Sequence, residues 1–269
     1  MINRIDNLFN DLKKQNRTAF ISFVTGGDPD LKLSEKIIEQ LPKNGTDLIE
    51  IGIPFLDPAG DGPVIEEAGK RAVKNGATLK AILNIVKNFR ENNTQTPIIL
   101  MGYYNSILHY GLEEFVIDAK RKGVDGLLVV DLPIEEDDEL LSYCKKHKFN
   151  LIKLITPTTN ISRMQQIIKK ASGFIYFVCI AGITGTKSAQ LQESKKFITK
   201  IKEMTDIPVV IGFGIKTKNQ VQEIKQSGAD GIVVGSRLVG VIEDGLNNGR
   251  SHSEIKKDLL DTNKHLSAA

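Results

Sequence analysis

Cysteine and histidine are scarce here: two and four in 269 residues. Cys144 falls in a charged helical segment and Cys179 in an apolar strand, so no disulfide framework is expected and a reducing, cytoplasmic compartment is. His109, His147, His252 and His265 lie in helical or helix-adjacent segments and none at a strand end. The His/Asp ligand set that zinc needs is missing, so no metal site is expected. A net charge of +3 gives little hold on nucleic acid or an anionic membrane. No stretch approaches the length needed to cross a bilayer, and the N-terminal M-I-N-R-I-D-N-L-F-N-D-L-K-K carries charge where a secretory leader needs an apolar run. Linkers and low-complexity segments are absent as well. With 41% hydrophobic residues, the expectation is one domain over 1–269 with a sizeable core.

What is present is alternation. Ile5, Leu8, Phe9 and Leu12 recur at helical spacing, predicting an N-terminal amphipathic helix. Short Val- and Ile-rich runs then alternate with helical patterns. Strands are predicted at 18–24, 47–53, 97–103, 124–130, 151–155, 173–179, 207–211 and 230–234. Eight β-α units in some 250 residues argue for a parallel sheet covered by helices, and their number is that of a (β/α)8 TIM barrel. A doubly wound open sheet would put its glycine fingerprint after the first strand, where this chain has T-G-G-D-P instead of G-x-G-x-x-G.

The stretch around which these units turn is D-L-I-E-I-G-I-P-F-L-D-P-A-G-D-G-P, residues 47–63. Ile49, Ile51 and Ile53 share one face of a strand, and Leu48, Glu50 and Gly52 the other. If the isoleucines meet the helices, Glu50 points into the barrel, where a carboxylate is costly unless paired or used. A buried salt bridge would account for Glu50 alone, but the loop that follows, bearing Asp57 and Asp61, turns the reading towards acid–base chemistry. Glycines collect at the ends of later strands: Gly182 and Gly185 after the sixth, Gly212 and Gly214 after the seventh, Gly235 with Ser236 after the eighth. One such turn needs no ligand. Three in succession, with S-R-L-V-G-V-I-E as a short helix behind Ser236, suit a phosphate held by backbone amides. Tyr176 shares a face with Phe174 and Val178 and is either core or pocket wall; Phe213 would supply an aromatic wall. Lys153 keeps a Schiff-base aldolase open as a minor reading. The residues thus point to a metal-free, carboxylate-driven enzyme for a small phosphorylated substrate with an apolar part.

A-F-I-S-F-V-T-G-G-D-P at 19–29 and I-E-I-G-I-P-F-L-D-P-A-G-D-G-P at 49–63 closely resemble the signatures of the tryptophan synthase alpha chain family. So do A-G-I-T-G at 181–185, G-F-G-I at 212–215 and G-S at 235–236. The resemblance implies a TIM barrel that cleaves indole-3-glycerol phosphate to indole and glyceraldehyde 3-phosphate by a retro-aldol reaction. No cofactor of its own is implied; an α2β2 complex with a pyridoxal-phosphate-bearing beta chain is. By matching position, Glu50 would protonate the indole ring at C3 and Asp61 would hold its N–H. Phe23, Tyr176 and Phe213 would surround the reacting ring, and Thr184 would close onto Asp61. Gly185, Gly214, Gly235 and Ser236 would hold the phosphate, and Asp57, Asn105 and Pro133 would face the beta chain.

Three positions depart from the family's common pattern: Leu56 for serine, Ala59-Gly60 for a larger residue followed by alanine, and Ile180 for arginine. A glycine at 60 is expected to loosen the Asp57–Asp61 loop. Two other functions fit less of the sequence. A free-standing lyase would need no partner, and a barrel kept only as an activating subunit would have lost a carboxylate that this chain retains.

Overall fold

The computed structural model describes residues 3–178, 187–212 and 214–269. Eight parallel strands close on themselves in sequence order, β1 (Ala19–Thr25), β2 (Leu48–Gly52), β3 (Ile98–Gly102), β4 (Gly126–Val129), β5 (Asn150–Ile155), β6 (Ile175–Val178), β7 (Val209–Gly212) and β8 (Gly231–Val234). Between and around them run α1 (Arg4–Lys14), α2 (Leu31–Gln40), α3 (Pro63–Lys74), α4 (Leu79–Asn92), α5 (Tyr104–Tyr110), α6 (Leu112–Lys122), α7 (Asp138–Lys146), α8 (Ile161–Lys170), α9 (Lys187–Lys202), α10 (Lys218–Lys225), α11 (Ser236–Asn247) and α12 (His252–Ser267). The expected TIM barrel is therefore observed, with each predicted strand in place to within a few residues. Among the described residues no helix is long and apolar enough to cross a membrane.

Strand alternation divides the apolar side chains into two layers. Ile49, Ile51, Leu100, Leu127, Phe177 and Ile211 face outward into a shell shared with helix residues such as Ile37, Ile82 and Phe115. Ile21, Phe23, Leu48, Ile99, Leu128, Ile152, Phe174, Tyr176, Val210 and Val233 fill the barrel. The N-terminal helix closes the lower end: Ile5, Phe9 and Leu12 join the inner cluster, with the Phe9 and Phe174 rings 5.9 Å apart. Arg4 and Arg90 converge on the buried Asp125 at 2.9 and 2.8 Å, tying that end together. Helix starts follow the capping chemistry of their sequences: Asn3, Asp30, Thr78, Asn160, Thr217 and Ser251 each accept from a first-turn amide.

Three readings need correction. Helix α5 is not anticipated by periodicity, because Ile107 is its sole buried residue and its first amide is capped from elsewhere, by Asp131 Oδ1 at 2.7 Å from Tyr104 N. The helix expected after β8 is present but runs twelve residues, Ser236–Asn247, beyond the stretch S-R-L-V-G-V-I-E. Lys153 faces outward, since the inner face of β5 carries Ile152 and Leu154. Its Nζ lies 2.5 Å from Asp137 Oδ2, while Lys170 holds Asp137 Oδ1 at 2.8 Å. This buried cluster removes Lys153 from any Schiff-base role.

One polar knot ties the last helix to the first strand. Ser22 Oγ lies 2.6 Å from Thr46 Oγ1 and donates to Asn263 Oδ1 at 2.7 Å, while Asn263 Nδ2 donates to Asn44 O at 2.8 Å. Asn263 and Ser22 are wholly buried, so losing the amide strands several polar groups at once. Asn263→Ala should lower stability by about 1–3 kcal/mol and Tm by several degrees, read by thermal unfolding. An unchanged Tm would mean that water replaces the amide.

Candidate active site

The C-terminal ends of the strands open into a narrow cleft lined by Phe23, Thr25, Phe55, Asp61, Ile65, Met101 and Tyr103 among others. Glu50 lies one pleat below Gly52, inside the barrel, as the alternation in β2 requires. It is fully buried and neither carboxyl oxygen has a hydrogen-bond partner among the described residues. Its neighbours across the ladder are Phe23 and Ile99. An ionised carboxylate in that setting would lack both water and a counter-ion. Burial accordingly pushes the Glu50 pKa up to about 8, so the group is mainly protonated at neutral pH.

The aromatic walls exist because two inner-face positions have no side chain. A Cβ at Gly52 would lie 2.7 Å from Phe23 Cζ, and one at Gly212 would lie 2.4 Å from Tyr176 Oη. The Phe23 ring thus rests on Gly52, above Glu50, and the Tyr176 ring rests on Gly212. Tyr176 is pushed well above the ordinary phenol range, first by burial and then by the charge of Glu50, which places these two groups in electrostatic reach.

Asp61 stands at the mouth of the cleft, half-buried. Burial raises its pKa, a hydrogen bond from the Tyr103 hydroxyl pulls it back, and the charge of Glu66 adds to the rise. Tyr103 Oη accepts from Gly60 N at 3.0 Å, and its ring stacks on Phe55 at 5.2 Å. Burial above all pushes the Tyr103 hydroxyl up to about 12. The Gly60 amide is therefore tied to the end of β3.

After β8, on the far side of β1 from β2, Gly235 is the N-cap residue of α11 and Ser236 its first residue, with no side-chain cap on that turn. The first amides of a helix lack intrahelical partners, so they point at whatever occupies the mouth. Gly214 is exposed after β7 with φ +24°, near this turn in the barrel's order. Thr184, Gly185 and Phe213 lie outside the described residues, as do Cys179 and Ile180. Among the described residues no group of three or more His, Cys, Asp or Glu could hold a metal ion.

The structure thus brings Glu50, Asp61, Phe23 and Tyr176 to one end of the barrel and sets Gly235 and Ser236 at the same end, beside Phe23. Sequence reasoning missed Thr25, Met101 and Tyr103. Thr25 is buried in the cleft wall, and its Oγ1 has no partner among the described residues. Counting by two from Phe23 reaches Thr25, and counting from Ile99 reaches Met101 and Tyr103, so the period that located Glu50 would have found them.

Comparison with known proteins gives one answer throughout. The family model described as tryptophan synthase alpha chain matches residues 9–268. A curated tryptophan synthase alpha chain from Granulibacter bethesdensis is 42% identical over 268 residues, covering 100% of this chain and 96% of its own. The crystal structure of the alpha chain from Legionella pneumophila subsp. pneumophila aligns with TM-score 0.88 at 34% identity, covering 100% of this chain and 98% of that one. A chain of the tryptophan synthase complex from Pyrococcus furiosus aligns with TM-score 0.82 at 33% identity, over 93% of this chain and 98% of its own.

The burial of Glu50 carries a stability signature. Unfolded, Glu50 loses its proton near its ordinary value; folded, it keeps it to about 8. Between those values the folded state binds more protons, so stability falls as pH rises, by about 1.4 kcal/mol per unit. The penalty at pH 7 is on the order of 3 kcal/mol. Glu50→Gln cannot ionise and should lack this slope. Denaturant unfolding from about pH 5 to pH 8 should show the native chain weakening relative to the variant; parallel curves would mean that Glu50 is not held protonated.

Proposed function

Because the chain belongs to the tryptophan synthase alpha chain family, we propose that it is a carbon–carbon lyase. It cleaves indole-3-glycerol phosphate to indole and glyceraldehyde 3-phosphate. The observation that carries this reading is Glu50: buried, unpartnered and protonated near neutrality, one pleat beneath a cleft with Asp61 at its mouth. The bicyclic ring enters the apolar cleft and turns aside the Phe23 phenyl that rests on Gly52. Glu50 then gives its proton to C3 of the indole. The positive charge this leaves on the ring nitrogen is stabilised by the Asp61 carboxylate. The bond from C3 to the glycerol carbon breaks as the hydroxyl on that carbon gives its proton to Glu50. The bond's electron pair returns to the ring, the carbon becomes the aldehyde, and Glu50 regains its proton. No water or redox partner is consumed.

The phosphate is held by the uncapped start of α11 at Gly235 and Ser236, with Gly214 and Gly185 contributing backbone and Thr184 closing the mouth over Asp61. Phe213 and Tyr176 complete the aromatic enclosure. The chain acts in the cytoplasm with a beta chain in an α2β2 complex. Asp57 and Pro133 on loops and Asn105 on α5 are all exposed at the C-terminal rim, and the apolar Leu56 and Leu108 are exposed as well. An apolar rim of this kind suits a protein partner better than water.

The test is steady-state indole release from indole-3-glycerol phosphate over a titration of purified beta chain. Wild-type turnover should rise as the beta chain binds, and Glu50→Gln should bind substrate yet turn over about 10²–10⁴-fold more slowly. Near-normal turnover in the variant would make Glu50 structural. Full activity with no response to the beta chain would favour a free-standing lyase. Ser236→Asp places a carboxylate at the phosphate cradle and should raise KM at least about tenfold while leaving the fold intact; Gly235 is less suited, since its Cβ would press on Phe23 at 3.1 Å. An unchanged KM would leave the α11 turn without a ligand role.

A further inference from the structure

Gly60 occupies a position where the backbone does not ask for glycine: its φ lies outside the left-handed region. What it supplies is room. A Cβ at residue 60 would lie 3.0 Å from Val130 Cγ1 and 3.5 Å from Tyr103 Oη. The first distance is shorter than ordinary van der Waals contact, so Val130 already fills the space that a methyl group there would take. Val130 follows β4 and packs against the barrel's inner cluster.

Three hydrogen bonds surround this contact. Gly60 N donates to Tyr103 Oη at 3.0 Å, Val130 N donates to Gly102 O at 2.9 Å, and Tyr104 N donates to Asp131 Oδ1 at 2.7 Å. The ends of β3 and β4 are thereby locked to each other, and the loop bearing Asp61 is seated on both, through the Tyr103 hydroxyl and the Val130 methyl. Tyr103 also donates to the Asp61 carboxylate.

We propose that Gly60 and Val130 form a size-matched pair that positions Asp61, Val130 acting as the surface against which the Asp61 loop is set. The proposal rests on Asp61 serving the lyase reaction described above. Val130 touches no reacting atom in this scheme; it is a positioning residue. A methyl group at 60 lifts the loop by a few tenths of an ångström, stretches the Gly60–Tyr103 bond and carries Asp61 away from its place. Removing the Val130 methyls restores the room.

The groups facing Asp61 are Tyr103 at the end of β3 and Glu66 on α3, and Glu66 is engaged by Lys70 at 2.8 Å. The Tyr103 hydroxyl lowers the Asp61 pKa, so carrying Asp61 away from that hydroxyl raises the pKa and moves the acid limb of the kcat profile to higher pH.

The experiment is a double-variant cycle in the complex with saturating beta chain. Gly60→Ala should lower kcat about tenfold with KM changed less than about twofold, and should shift the acid limb upward. Gly60→Ala/Val130→Ala should recover kcat to within about threefold of wild type and return the limb to its place. Losses that multiply, a Gly60→Ala enzyme indistinguishable from wild type, or a fall in Tm without a shift of the limb would each overturn the pairing. Wild-type turnover separates the two levels: its absence rejects the lyase reading, whereas additive variants in an active enzyme reject only the pair. In an inactive wild type, carboxyl titration of Asp61 by NMR reads the same coupling: raised in Gly60→Ala and restored in the double variant, or unaffected if the pair does not exist.

Discussion

A carboxyl group with no partner sits at the centre of this barrel, and much of the upper half is arranged around it. The inner layer places Phe23, Ile99 and Tyr176 about Glu50 and offers it neither a cation nor a hydrogen-bond donor among the described residues. The other buried acids are treated differently. Asp125 is met by two arginines, Asp28 by Arg71 at 2.8 Å, and Asp137 by two lysines. Those carboxylates are paired with cations and do structural work in the shell. Glu50 alone is left to keep its proton, at a cost in stability that an apolar residue of similar size would avoid.

That contrast explains the glycines of the inner face. The far ends of the Phe23 and Tyr176 rings lie against Gly52 and Gly212, so the space above Glu50 is lined by aromatic side chains. Asp61 enters from a loop rather than a strand, and its position depends on what the loop rests upon. The supports are a phenol and a valine from the two following strand ends. In the proposed reaction the proton-donating acid, Glu50, is built into the barrel, and Asp61 sits at the less buried rim.

Much of this was legible in the sequence for a simple reason. In β2 one face carries isoleucine and the other carries Leu48, Glu50 and Gly52, so alternation identified both the strand and the inward carboxylate. In β5 both faces are largely apolar, as parallel barrel strands are, and alternation could group Lys153 with Leu151 and Ile155 but could not say which way that face pointed. It points to the helices. Helix α5 was invisible because its cap, Asp131, comes from the next strand end, a contact that no local pattern encodes. The tie at Gly60 was hidden for the same reason. Its sequence neighbours suggest a flexible loop, while the tyrosine that its amide bonds to is forty-three residues away.

The central claim is that Glu50 is a neutral acid at the pH where the reaction runs, and it can be observed without any turnover. Difference infrared spectroscopy of the native chain against Glu50→Gln isolates the carboxyl stretch of this one side chain. A protonated carboxyl band at neutral pH, giving way to carboxylate with a midpoint near 8, is the predicted result. A carboxylate band already complete at neutral pH, with a midpoint in the ordinary glutamate range, would contradict it.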